Sequence, residues 1–571
     1  MKKQLQMKRD TLKGGLTVWD GVAVILGVLL FGYLWLCARQ SIGVPDEAFY
    51  LDLPQRFAQG DKLLVHEWGI EQLFSLFLWI PYRLFVLVTG GTQGILLAFR
   101  RLYVCVDTLF YGYVYYKLRD KKLAGILCAF LFCAVVPALG PALNYYTISL
   151  MAMLQFLLLL FTGPQKKRKG TYVLGGIIWA FGILAEPLLI FTYLAYCAVF
   201  PVLKKKKIGE EVVLFQKEAF LFISLGGWLT FCVFMLMLYA TGSLAMLPKT
   251  IPYLVNDVGY SPSDIFEPER LLYYLWGTGT IPAAAGLLLC CIGAAVYAVK
   301  TKKALPPTEA SASTDAERDS SAGTTELRRL TVKYGLLLLS MLFLFVGYAC
   351  ALGSLVRPRP ESFLFMIATH ELPLLLVAPI WYLLCDRKDK RILMMVLFSL
   401  AYSLCVDISS DWVVGMGGKI AVVPDILLLQ ILYEEHKKDR LLFSARSAVN
   451  KSASIVICCC CMAGFAVWNI GFLHALGVFP LEEKVLFGDW SQSLTEEITS
   501  GPSKGLKTTK PIAETYNKAL ADLDYIRENG NDAQPVMIGG LFAHGYLYLE
   551  NMPCASTTAF FKNELGRIDD Y

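Results

Sequence analysis

The chain has 571 residues, 56% of them hydrophobic and only 18% charged, against roughly 45–50% apolar and about 25% charged in soluble globular proteins. The apolar residues gather in long blocks, which excludes a soluble enzyme and points to an α-helical polytopic membrane protein. A net charge of +6, from 53 Lys and Arg against 47 Asp and Glu, is too mild to signal a nucleic-acid partner, and the sixteen cysteines, all but Cys554 in or beside apolar runs, suit neither a disulfide scaffold nor a zinc site.

Residues 1–17 carry Lys2, Lys3, Lys8, Arg9 and Lys13 and read as a cytoplasmic tail. The apolar run at 18–38 is too long for a signal-peptide core and reads as an uncleaved first transmembrane helix. Residues 39–97 then form one external loop. The apolar stretch at 72–90 inside that loop decides the topology. If it spans, the basic clusters at 117–122, 166–169, 204–207, 300–303, 387–391 and 437–440 all face outward; if it lies along the outer interface, all face the cytoplasm. Arg83 beside Trp79, Pro81 and Tyr82 also suits an interfacial helix.

Further apolar runs lie near 98–116, 122–140, 145–162, 171–186, 188–203, 216–240, 271–299, 334–356, 363–385, 392–407, 419–433 and 452–475. With the first helix they make about thirteen transmembrane helices, the remaining twelve occupying 98–475. Within that stretch, 300–332 (PPTEASASTDAERDSSAGTTE at its centre) reads as a disordered cytoplasmic linker. Residues 476–571 have soluble composition and read as a small extracytoplasmic α/β domain. It offers an amphipathic helix at 511–529, a strand-like PVMIGGL at 535–541, HGYLYLE at 544–550 and a turn at 551–553. The chain is expected to be integral to the plasma membrane and multi-pass, with a cytoplasmic N-terminus and an extracytoplasmic C-terminus.

The external loop opens on Pro45-Asp46-Glu47-Ala48-Phe49-Tyr50. A carboxylate there could deprotonate an acceptor hydroxyl or amine, or hold a divalent cation beside a lipid phosphate. The plainer reading is helix capping, with Asp46 as N-cap and Glu47 in the first turn. Residues 46–101 continue DEAFYLDLPQRFAQGDKLLVHEW, then the interfacial stretch, then TGGTQGILLAFRRLYV. This resembles the GT-C superfamily of membrane glycosyltransferases, particularly the protein O-mannosyltransferase and aminoarabinose-transferase branch. There an Asp-Glu pair with a Tyr three residues on follows the first helix, then come a Gly-Asp turn, a juxtamembrane helix and an Arg opening the second helix. Here those elements are Asp46-Glu47, Tyr50, Gly60-Asp61, residues 72–90 and Arg100/Arg101, over a similarity spanning about 40–190.

The resemblance implies transfer of a sugar from a polyprenyl-phosphate-linked donor lipid to an extracytoplasmic acceptor (lipid, protein or cell-envelope polymer), with inversion by direct displacement. It casts Asp46 as the base, Glu47 as its support and Arg100/Arg101 as candidates for the leaving phosphate, although two arginines at a helix end also simply snorkel among membrane lipids. The chain departs from the branch at Phe49, where a cation is usual, at Glu71-Gln72 in place of Lys-Pro, and at Asn144 in place of an Asp. Arg56 and Lys62 could substitute as phosphate contacts.

His66-Glu67-Trp68 could assist proton transfer and stack on a sugar, or be an interfacial Trp with solvated neighbours. Asp46, Glu47, His66 and Glu67 could also hold a divalent metal, the one cofactor the pattern leaves open. Glu186-Pro187 and His370-Glu371 are ionisable pairs within or at the ends of spans, which either face a cavity or fix helix packing. A transporter or flippase, an envelope-assembly scaffold without catalysis, and a polysaccharide polymerase or ligase share the topology. The early Asp-Glu pair and the absence of an internal repeat weigh against them.

Overall fold

A computed structural model of the protein describes residues 16–40, 45–134, 141–163, 167–205, 212–255, 281–304, 328–347, 362–410, 417–442, 494–531, 534–536, 538 and 544–555. The expected run at 452–475 and most of the linker at 300–332 lie outside them. The linker's described ends are helical, belonging to the neighbouring helices.

The chain is a helical membrane protein: seven described helices are long and apolar enough to cross a membrane, and four shorter apolar helices accompany them. In order they begin α1 (Val18–Cys37), α2 (Pro45–Gln59), α3 (Ser75–Thr89), α4 (Ile95–Leu118), α5 (Leu123–Ala134), α6 (Tyr145–Phe161), α7 (Lys169–Ala185), α8 (Ile190–Lys205) and α9 (Lys217–Ala240). The short α10 (Leu247–Val255) precedes α11 (Ile281–Ala304), α12 (Arg328–Gly347), α13 (Ser362–Leu384), α14 (Lys390–Ser410) and α15 (Val422–Leu442). The tail contributes α16 (Lys510–Asn529), α17 (His544–Tyr548) and a sheet of two antiparallel strands, β1 (Glu496–Glu497) and β2 (Lys507–Thr508). Of the expected strand at 535–541, Val536 makes one isolated parallel bridge to Cys554.

Local chemistry fixes the frame. Thr17 and Asp20 form a capping box at the start of α1, and the buried Asp20 then holds Arg119 (2.6 and 2.7 Å) and Tyr115 (2.7 Å) from the end of α4. At the opposite end of the same antiparallel pair, Arg100 of α4 donates to the carbonyls of Ala38 (3.2 Å) and Gln40 (2.8 Å). These two sites mark an Asp20 end and an Arg100 end of the bundle. The tightest crossing joins α7 and α9. A Cβ at Gly176 would stand 1.9 Å from the Ile223 carbonyl oxygen, and one at Gly226 2.1 Å from that of Val173, so the two backbones touch through glycine.

Length and composition alone place 71–89 among the seven candidate spans, yet both of its ends lie at the Arg100 end of the bundle. The helical turn before α3 packs on α6 and α7, with Phe74 6.4 Å from Tyr145 at the start of α6. The far end of α3 closes on Gly90 (φ 76°) and turns directly into the start of α4. α3 therefore lies across the end of the bundle. Ile80, Leu84, Leu87 and Val88 are exposed along it, while its other face covers α2. The tail domain sits over this same layer, with its own core of Ile498, Ala513, Tyr516, Leu520, Leu523, Leu549 and Met552. The expected amphipathic helix is α16, whose buried residues repeat at helical spacing.

Candidate functional site

α2 is enclosed almost throughout: residues 47, 48 and 50 to 56 are buried or nearly so, although the helix is polar. Burying charged groups costs several kcal/mol each unless they are paired, and on α2 Glu47 and Arg56 are paired. Asp46 lies in its first turn, with its side chain outside the described residues. The Glu47 carboxylate takes both Nε and Nη2 of Arg100, each at 2.6 Å. Arg100 thereby ties α2 and α4 to the carbonyl end of α1, where a cation is favoured. Glu47 is 6% and Arg100 2% exposed, so removing either partner strands a buried charge at a cost of about 3–5 kcal/mol.

One turn further along, Tyr50 packs edge-on against Phe74 (5.3 Å) and Tyr145 (6.1 Å). The Arg56 guanidinium is spent on Asp61 (2.7 Å), Glu67 (2.5 Å) and the His66 carbonyl (2.6 Å). His66 Nδ1 stands 3.2 Å from Asp61. The Trp68 indole donates to the Val65 carbonyl and stacks on Tyr253 of α10 at 4.2 Å and 11°. The structure thus gathers Tyr50, Arg56, His66, Glu67 and Trp68 into one layer with Glu47, in which Arg56 and Trp68 face protein groups. Asp52, also on α2, is fully buried and neither of its oxygens has a hydrogen-bond partner among the described residues. Burial, partly offset by Arg56 and reinforced by Glu67 and Asp61, pushes its carboxyl up to about 7.

Arg101, the neighbour of Arg100, points elsewhere: its guanidinium lies over the Trp35 ring of α1 at 4.8 Å. Glu186 is buried at the break between α7 and α8, facing Ser409 of α14. The side chains of His370 and Glu371 lie outside the described residues. Among the described residues no three His, Cys, Asp or Glu side chains gather into a metal site, and the Glu47 and Glu67 carboxylates are each bound to an arginine.

Four intramembrane charges went unnoticed in the sequence: Asp107, Asp407, Lys419 and Asp425. A lone charged residue inside an apolar run is the signal that would have found them. Asp107 and Asp425 are buried with no hydrogen-bond partner on either carboxylate oxygen among the described residues. Lys419 is 1% exposed, lies over the Phe132 ring at 4.8 Å, and its charge reaches Asp107. It sits in a non-α-helical stretch at 417–421. There a Cβ on Gly417 would be 2.7 Å from the Cα of Ser403, seven residues before the end of α14, which is about 10 Å inside the bundle. A single 3-10 turn (Gly418–Ala421) at such depth leaves backbone groups that protein or a polar cavity must satisfy.

A second feature opens sideways. Between α7, α8 and α9 lies an apolar groove of about 270 Å³, lined by Trp179, Ile183, Tyr193, Trp228, Phe231 and Phe234 among others. Trp228 is 61% exposed. Leu184 and Phe234, at its Arg100 end, join a cluster with Phe57, Leu63 and Leu73, so the segment that follows α2 roofs the groove. No protein-family model matches the chain and no curated protein matches it in sequence.

Proposed function

We propose that the protein is a GT-C-type glycosyltransferase that moves a sugar from a polyprenyl-phosphate donor to an acceptor on the extracytoplasmic side. One observation carries the reading. The helix that bears the Asp46-Glu47 pair is anchored by Arg100, and the loop continuing from it roofs an apolar groove suited to a prenyl chain. Arg100 compensates Glu47, and the reading gives the role of base to Asp46, its neighbour in the first turn of α2. Asp46 takes the proton from the acceptor hydroxyl or amine as that atom attacks the anomeric carbon. The bond from this carbon to the lipid phosphate oxygen breaks, the phosphate leaves with the electron pair, and the configuration inverts. The Arg100 end would face outward, which sets the basic loops in the cytoplasm.

Purified protein in detergent, given a radiolabelled polyprenyl-phosphate sugar, should lose turnover about 10²–10⁴-fold on Asp46→Ala, the span expected for removal of a general base. Unchanged turnover would discard the assignment. The buried Asp107 and Asp425, whose carboxylates have no hydrogen-bond partner among the described residues, favour a second reading with the in-dipping 417–421, translocation of a lipid-linked substrate. In that case proteoliposome flipping of a fluorescent lipid-linked sugar would fail on Asp107→Asn and Asp425→Asn and be indifferent to Asp46→Ala.

A further inference from the structure

α4 begins badly for a buried helix. Its N-cap is Gly94 (φ 74°), which offers no side-chain oxygen, while Ile95 and Leu96 are completely buried. The first N–H groups of a helix have no partner within it and need one from outside. Here the tail domain supplies it: Gly94 N–H donates to the Gly501 carbonyl (3.0 Å) and Leu96 N–H to the Pro502 carbonyl (3.2 Å). The same tail segment finishes α1. Of the three carbonyls at that helix end, Ala38 and Gln40 accept from Arg100, and Arg39 accepts from the Lys507 N–H at 2.7 Å. Arg39 in turn reaches Glu497 (3.0 Å). Three side chains at the Arg100 end complete the clasp by donating to tail carbonyls: Gln55 to Tyr546 (2.7 Å), Gln59 to Glu550 (2.8 Å) and Thr92 to Leu547 (2.7 Å).

We infer that the tail domain is a built-in part of the Asp46-Glu47 site, its 501–507 segment capping the two helix ends between which Arg100 holds Glu47, with Thr92 and Lys507 as positioning residues. Glu47 has its place only because Arg100 is fixed, and Arg100 is fixed by one helix end that the tail caps at its N–H groups and another that it caps at a carbonyl. Undocking the tail would leave buried donors and an acceptor unmet at once, so the site is competent only with the tail seated. For its activity readout alone, this inference rests on the proposed glycosyl transfer.

The test uses the full chain in detergent and reads backbone amide exchange over 94–100 together with donor turnover. Lys507→Pro deletes one N–H donor, and Thr92→Val deletes one hydroxyl. Each should speed exchange over 94–100 and lower kcat by about tenfold, the scale of one buried hydrogen bond. Donor KM should hold, and exchange in α16 should stay slow. Thr92→Ser keeps the hydroxyl and should restore both readouts. Unchanged exchange over 94–100 in both variants overturns the inference, and so does a loss that reduces only the yield of folded protein. If the wild-type chain shows no donor turnover, the glycosyltransferase reading fails, and the exchange comparison still decides the clasp.

Discussion

Asp52 shows what enclosing a polar helix does to a single residue. Its carboxyl is pushed up to about 7 by burial, against an ordinary value of 3.8. The folded state therefore holds a proton that the unfolded chain has released, and stability falls as pH rises from about 4 to about 7. Asp52→Asn should raise the midpoint of thermal unfolding at pH 8 and leave it unchanged near pH 4; the ceiling is about 4 kcal/mol, at 1.36 kcal/mol per unit. Equal midpoints for variant and wild type at pH 8 would refute it. Arg100→Lys keeps the charge but loses the two-pronged contact with Glu47, and should cost about 2–3 kcal/mol in the same melts. At this scale the sequence was half legible. Asp46, Glu47 and Arg100 stood out by type and order, but nothing local says that Arg100 is spent on a carboxylate 53 positions earlier, or that Arg56 closes on Glu67. Such pairings are properties of the folded chain.

Helices were legible wherever an apolar run is long, because membrane length and backbone satisfaction leave few alternatives. Every described run expected as a transmembrane helix contains a helix, although the one expected at 419–433 begins on a 3-10 turn and its helix continues to Leu442. The small strands β1 and β2 were missed, since two residues carry no periodicity to read. The α7–α9 contact was equally hidden, although its cause is plain in retrospect: Gly176 and Gly226 are the only residue type that lets two backbones meet. Gly176→Ala would drive its new methyl group into the Ile223 carbonyl. It should lower stability by roughly 1–3 kcal/mol or more and distort the groove beside it, read as a fall in melting temperature in detergent. Orientation of α3 is the element-level question that composition answers wrongly and end geometry answers well. In a cysteine-free background, Glu71→Cys and Gly90→Cys should react with a membrane-impermeant thiol reagent from the same side of intact vesicles. Labelling from opposite sides would mean that 71–89 crosses.

Over the whole molecule, the tail and the bundle meet across a surface that titrates in two directions. His544 of α17, in the tail, is buried, and burial together with the Arg100 charge pulls its imidazole down to about 4. An exposed imidazole binds a proton near 6.5, so undocking or unfolding takes up protons, and His544 contributes stability above pH 6.5 that is lost as pH falls toward 4. Its full span is about 3 kcal/mol. Asp52 works the other way across nearly the same window, because acidification relieves its buried charge. The two groups sit on either side of one layer, Asp52 on α2 and His544 on the tail that hydrogen-bonds α2 through Gln55. In the wild-type chain their linkages offset each other, and the melting temperature should vary little between pH 7 and pH 4.5 on their account. Removing one should expose the other: Asp52→Asn loses stability on acidification over that range, and His544→Gln gains it. Parallel melts of the three proteins at pH 7 and 4.5 check the argument, and two variants moving in the same direction would break it.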